Sequence, residues 1–303
     1  MNLKDYQSQS QKKVAQELKK IDLEKVKQAA KAKILKNSYC VQFIADNQVS
    51  ERELMTHLGE FLTVVDEGET NIACTKEHCV KGGNGYHVGL RRRGLDIELY
   101  YYACAFRENL DYYVAHYLYH DFPDEWLLAK INDIKVNNYR HELIKGFKDV
   151  LTSKSKSLYI YGEIGLGKSF TVAAFCNKYI ELHPDCSVAY LNTRKLVNDL
   201  RDLLFNKANE EVQNILQKLK SIPVLVFDDF GSEKITEWSK EDVVYNLVSE
   251  RQQQGLITIF TSDFSLTELA QLYGKKDDLK NRRLFSLLKN YTQEIELIGV
   301  QTK

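Results

Sequence analysis

Four things are scarce in this 303-residue sequence, and each scarcity closes off a class of protein. Net charge is absent: 42 Lys and Arg stand against 42 Asp and Glu. No overall basic field therefore marks a nucleic-acid binder, and any contact with an acidic polymer has to come from a local patch. No run of about 18 apolar residues occurs, which excludes a membrane-spanning helix. The lysine-rich start lacks the apolar centre of a secretory leader, so a cytoplasmic protein with no membrane partner is expected. Proline is rare as well, and of the three only Pro123 lies in the first half, where it singles out a candidate connector. In a reducing compartment the six cysteines are expected to be metal ligands or free thiols rather than disulfides.

What the sequence does contain is concentrated in Ser157–Thr171, SLYIYGEIGLGKSFT. An apolar strand, a glycine-rich loop and the first turn of a helix follow one another, and Gly162 to Ser169 fits G-x-x-x-x-G-K-S. Gly162, Gly165 and Gly167 permit the positive φ angles that turn successive N–H groups toward one anion at a helix N-terminus. Lys168 is expected to reach the β- and γ-phosphates of ATP, and Ser169 to place its hydroxyl on Mg²⁺. Glu163, Ile164, Leu166 and Phe170 complete the nucleotide-holding stretch. Downstream, Val224-Leu225-Val226-Phe227-Asp228-Asp229 is an apolar run ending in two carboxylates, the pattern of a buried parallel strand with a site at its C-terminal edge. Asp228 would hold Mg²⁺ and Asp229 would orient or deprotonate an attacking water. A second buried strand, Leu256–Phe260, ends in Thr261-Ser262-Asp263, polar residues within reach of a γ-phosphate.

The front half reads differently. Residues 1–36 hold ten lysines against four acids, and Val14, Leu18 and Ile21, then Val26, Ala30 and Ile34, recur at helical spacing between them. Ser50-x-x-Glu53 is a capping box before a helix with Leu54, Leu58, Phe61, Leu62 and Val65 on one face. Cys74, His78, Cys79 and His87 then fall in a short glycine-rich run. Arg93-Gly94 is a plausible hairpin turn before the alternation Leu95, Ile97, Leu99, Tyr101, and it would bring Cys104 back to them. Three thiolates and one imidazole suit a closed, structural Zn²⁺ site, here Cys74, Cys79, His87 and Cys104, with His78 as a substitute ligand. The alternative is a set of unligated cysteines in a small β-domain. Expected boundaries are a zinc-binding domain at 1–121, a linker at 122–140 and an ATPase domain at 141–303.

Strand and helix alternate through the rear half: Leu143 to Val150, Val172 to Tyr179, Val188–Leu191, Leu196–Leu204, Val212–Leu219, Val243 to Arg251, Leu279–Leu288 and Glu294–Ile298. That order predicts an α/β fold with a parallel sheet covered by helices on both faces.

The motifs GEIGLGKS and VLVFDDFGSE, the run SERQQQGLITIFTSDFSLTEL and NRRLFSLL together resemble the bacterial AAA+ replicative helicase loaders of the DnaC/DnaI family. The arrangement Cys74, Cys79, Gly85-Tyr86-His87 and Cys104 resembles the zinc-binding, helicase-interacting front domain that such loaders carry. The resemblance implies ATP-dependent delivery of the replicative DNA helicase onto single-stranded DNA, with subunits associating through their AAA+ domains. The sequence departs from it at Asp263, where Asn is usual, and at Leu287, where an arginine is usual. Arg251, Arg282 and Arg283 are left as candidates to act on a neighbour's ATP, and hydrolysis is expected to be slow. A transposition-helper ATPase and a nucleotide-gated adaptor with little hydrolysis are the alternatives.

Overall fold

In the computed structural model, which describes residues 22–68, 74–79, 85–94, 96–134, 140–152, 157–233, 236, 238–273 and 279–299, the chain divides between Asn109 and Leu110 into two units. The first begins with short capped helices. Asp22 accepts a hydrogen bond from the Lys25 N–H to start α1 (Leu23–Ile34), and Asn37 does the same for Cys40 at the start of α2 (Ser38–Asp46). The Ser50–Glu53 capping box forms as expected, but the helix it starts stops at His57. What was read as one helix is α3 (Glu51–Thr56) followed by α4 (Leu58–Gly68).

The hairpin β1 (Tyr86–Arg93) and β2 (Asp96–Ala103) turns at Gly94, with Arg93 opposite Asp96. Ile34, Cys40, Leu54, Phe61, Val64, Val88, Leu90 and Ile97 form the unit's core. Of the apolar stripe expected on the basic helix, only Ile34 is buried and Val26 is exposed; Val14, Leu18 and Ile21 lie outside the described residues. The division between units falls within α5 (Ala105–His116).

The second unit is built on six parallel strands in the order β3-β5-β6-β7-β4-β8. These are β3 (Tyr117–His120), β4 (Ser157–Tyr161), β5 (Val188–Asn192), β6 (Val224–Asp228), β7 (Ile257–Ser262) and β8 (Thr292–Glu296). Successive residues of the central strands bury into opposite faces. Leu158, Val226 and Ile259 enter one core with Val172 and Phe175, while Tyr159, Phe227 and Phe260 enter the other with Leu247 and Leu284. Each such side chain contributes about 1.5–3 kcal/mol on burial.

The covering helices are α6 (His141–Leu151), α7 (Lys168–Leu182), α8 (Thr193–Phe205), α9 (Asn209–Ser221), α10 (Asn246–Gln254), α11 (Leu266–Leu272) and α12 (Leu279–Tyr291). A π-helical stretch, Ser239–Tyr245, runs into α10. Helix α11 was not foreseen, although Ser265 and Glu268 form a capping box at its start.

Residues 117–134 do not separate the units. Strand β3 pairs with β5, and Phe122 and Leu127 are buried in the second unit's core, Leu127 within a 3-10 turn at Asp124–Leu128. The division therefore lies before the expected linker, because edge pairing and apolar burial hold this segment to the sheet. A parallel sheet delivers every strand end to one edge, and Tyr161, Asn192, Asp228 and Ser262 all end there.

Candidate functional site

The loop after β4 turns back sharply. Gly162 has φ +151°, and a Cβ there would lie 2.3 Å from the Leu297 carbonyl oxygen, so the close approach of the two chains requires glycine. Gly165 and Gly167 also take positive φ, and Gly167 is the N-cap of α7. These positive-φ glycines run straight into the helix start, where the sequence predicted an anion site. Lys168, the first residue of α7, is 8% exposed and folds back over the loop. Its Nζ donates to the carbonyls of Gly162 (2.7 Å) and Glu163 (2.9 Å) and to Asp263 Oδ1 (2.8 Å). Ile164 is exposed at the loop tip, whereas Leu166 is buried and accepts a 2.9 Å hydrogen bond from Arg140 Nη2 on its carbonyl.

Asp228 and Asp229 sit at the end of β6, cross-linked to β7 through Thr261. The Thr261 hydroxyl donates to Asp228 Oδ1 (2.5 Å) and accepts from the Asp229 N–H (2.9 Å). Asp229 holds φ +57°, a left-handed conformation uncommon for a non-glycine residue, directly after the strand. Burial raises the carboxyl pKa of Asp228, and hydrogen bonds from Thr261, Ser169 and Tyr190 oppose that shift. The contact with Ser169 brings together the two residues expected to share Mg²⁺.

Lys168, Ser169, Phe170, Asp228, Asp229 and Asp263 line one cleft of about 990 Å³, large enough for a cofactor. Thr261, expected near the γ-phosphate, lines it too, as do Trp126, Asn192 and Arg194, which sequence reasoning missed. Trp126 meets Phe170 edge-on at 5.6 Å, and Arg194 Nε donates to the Ser232 carbonyl at 2.9 Å. Asn192 ends β5 and Arg194 lies in the first turn of α8, both at the carboxyl edge of the sheet, the one signal that could have found them.

The three candidate arginines separate. Arg251 is fully buried: Nη1 donates to the carbonyls of Leu219 and Ile222, Nη2 to Ile257 and Nε to the Thr258 hydroxyl, at 2.6–2.9 Å. Burial lowers its pKa to about 10. Its donors satisfy carbonyls around the end of α9 and the start of β7, so it cannot act on a neighbour's ATP, and that expectation is corrected. Arg282 and Arg283 lie exposed on α12. Leu287 packs against the core instead.

In the first unit, the thiols of Cys74, Cys79 and Cys104 all lie within 4.8 Å of one another, and His87 Nε2 is 3.3 Å from Cys74 Sγ. His87, Cys79 and Cys104 are buried. The three sulfurs form a candidate metal group, and the imidazole of His87, expected as the fourth ligand, adjoins it through Cys74. His78 is exposed in a turn with Thr75, outside the group.

A six-stranded parallel sheet with a G-x-x-x-x-G-K-S loop after β4 and paired aspartates at the end of β6, with β7 between the two strands, defines a P-loop ATPase module of the AAA+ type. The chain belongs to the family of the bacterial DnaA ATPase domain, whose model matches residues 132–287. It is similar to the replicative helicase loader DnaI of Bacillus subtilis strain 168, 26% identical over 301 residues that cover 92% of this chain and 93% of that one. A crystal structure of DnaI is 25% identical with a TM-score of 0.54, over 63% of this chain and 99% of its own. A primosome component from Streptococcus pyogenes serotype M3, at 23% identity and TM-score 0.53 over 63% and 98%, shares the fold. The expected likeness to the DnaC/DnaI loaders and the expected AAA+ fold both hold.

Proposed function

We propose that this chain is an ATP-dependent loader that delivers the replicative DNA helicase onto single-stranded DNA. The observation that carries the reading is the likeness to a helicase loader along 92% of this chain and 93% of the relative, which runs through both units. The transposition-helper and adaptor alternatives have no comparable support.

In this reading the loop amides and Lys168 bind the phosphates of ATP. Ser169 and Asp228 hold Mg²⁺, which supplies charge neutralisation at the phosphates when bound. Asp229 orients the attacking water. Trp126 and Phe170 provide an aromatic wall, and Arg194 brings a second cation to the cleft. Cys74, Cys79, His87 and Cys104 hold a structural zinc that shapes the first unit as the helicase-contacting module. Arg282 or Arg283 reaches the ATP of an adjacent subunit, a role that depends on self-association.

The test is a loading assay on circular single-stranded DNA bearing one annealed strand. Strand release by the replicative helicase is expected to need both this chain and ATP. Release that is indifferent to the chain would overturn the proposal.

A further inference from the structure

A P-loop lysine has three N–H donors, and on Lys168 all three are engaged. Two go to carbonyls of its own loop, Gly162 and Glu163, and the third to the carboxylate of Asp263. Only the last partner carries charge. Asp263 follows β7, which lies between β6 and β4, so it stands between the phosphate loop and the Asp228–Asp229 pair. Among the described residues it is also one of three carboxylates lining the cleft, with Asp228 and Asp229, against the two cations Lys168 and Arg194. A terminal phosphate entering this cleft needs the same Lys168 proton that Asp263 holds. An ionised aspartate offers that phosphate no donor, only acceptor oxygens of like charge.

We infer that Asp263 is a built-in competitor of the nucleotide's terminal phosphate: it holds Lys168 as an internal counter-ion and biases the site against ATP relative to ADP. The inference rests on the nucleotide-binding reading above and adds a specificity role. The γ-phosphate has to displace the carboxylate from Lys168 and then remain beside it, whereas the shorter ADP bears mainly the first cost. One charge removed at this range in a solvent-accessible cleft changes affinity by about tenfold.

The experiment is an equilibrium titration of the full chain with Mg²⁺ and either a non-hydrolysable ATP analogue or ADP, read by calorimetry. Asp263→Asn is expected to tighten analogue binding about tenfold and ADP binding by less, so that the analogue-to-ADP affinity ratio rises. Asp263→Glu, which keeps the charge, should stay near the parent ratio, and Asp263→Ser, should Asp263→Asn fold poorly, should follow the neutral pattern. Unchanged or weaker analogue binding in both neutral variants, or an equal gain for both nucleotides, would overturn the inference while leaving nucleotide binding intact. A parent chain that binds neither nucleotide would overturn both. A parent that binds nucleotide but fails the loading assay would remove only the loader reading.

Discussion

The phosphate cleft and the cysteine cluster are assembled in opposite ways. The cleft's centre comes from contiguous residues, Gly162 to Ser169, whose glycines at positive φ and helix start set the loop's path locally, while Arg140 and Asp263 only brace it at Leu166 and Lys168. The cluster gathers Cys74, Cys79 and Cys104 across 30 positions with His87 against Cys74, and the hairpin turn at Gly94 folds the strand that leads to Cys104 back beside His87. A site encoded locally keeps its shape when its chemistry is removed. One assembled from separated ligands owes its shape to whatever holds them.

The largest expected effect sharpens the first half of that contrast. Lys168→Ala should weaken ATP binding by about 3 kcal/mol, roughly hundredfold, with an unchanged melting profile of the second unit. Asp229→Asn should bind ATP normally and lose turnover by about 10² or more, measured as steady-state phosphate release.

Next comes a buried cation, Arg251, whose role is to satisfy buried carbonyls. Arg251→Ala leaves the carbonyls of Leu219, Ile222 and Ile257 without their donors and should cost the second unit about 3 kcal/mol or more in thermal unfolding. Mixed with parent subunits, the folded fraction should still support their ATP turnover. Loss of turnover with full stability would restore Arg251 to the site.

The smallest effect lies in the first unit. Hydrogen bonds from Ser50, and then Arg92, hold the Glu53 carboxyl below its usual range. The native state therefore binds fewer protons than the unfolded chain at acid pH. The stabilisation is complete above the ordinary glutamate pKa, near 4.3, and is lost as pH falls through the depressed value. Melting curves across that window should show the loss, and Glu53→Gln should flatten it.

The same contrast explains what could be read without coordinates. The phosphate loop, the Asp228–Asp229 pair, the Ser50 cap and the Gly94 turn are each written in a few adjacent residues, and all are found where expected. Strand β3 was missed because four residues directly after a helix, with no glycine or proline between, give no strand signal; only its pairing with β5 defines it. Arg251 was misread because its sequence setting showed a charge but not the complete burial around it. The Lys168–Asp263 ion pair joins residues 95 positions apart; sequence placed a charge near the phosphate but gave no reason to expect its partner. Arg140 and Trp126 reach the loop and cleft from segments without any motif.

The central claim is that helicase contact belongs to the metal-shaped first unit and ATP chemistry to the second. Capture of the replicative helicase by the full chain, compared among the parent, Cys104→Ser and Lys168→Ala proteins, tests it most directly, with zinc content and ATP affinity measured on the same samples. Cys104→Ser should lose zinc and helicase capture while keeping ATP affinity, and Lys168→Ala should keep zinc and capture while losing ATP. Helicase retained by zinc-free Cys104→Ser protein, or capture abolished by Lys168→Ala with zinc in place, would contradict the account.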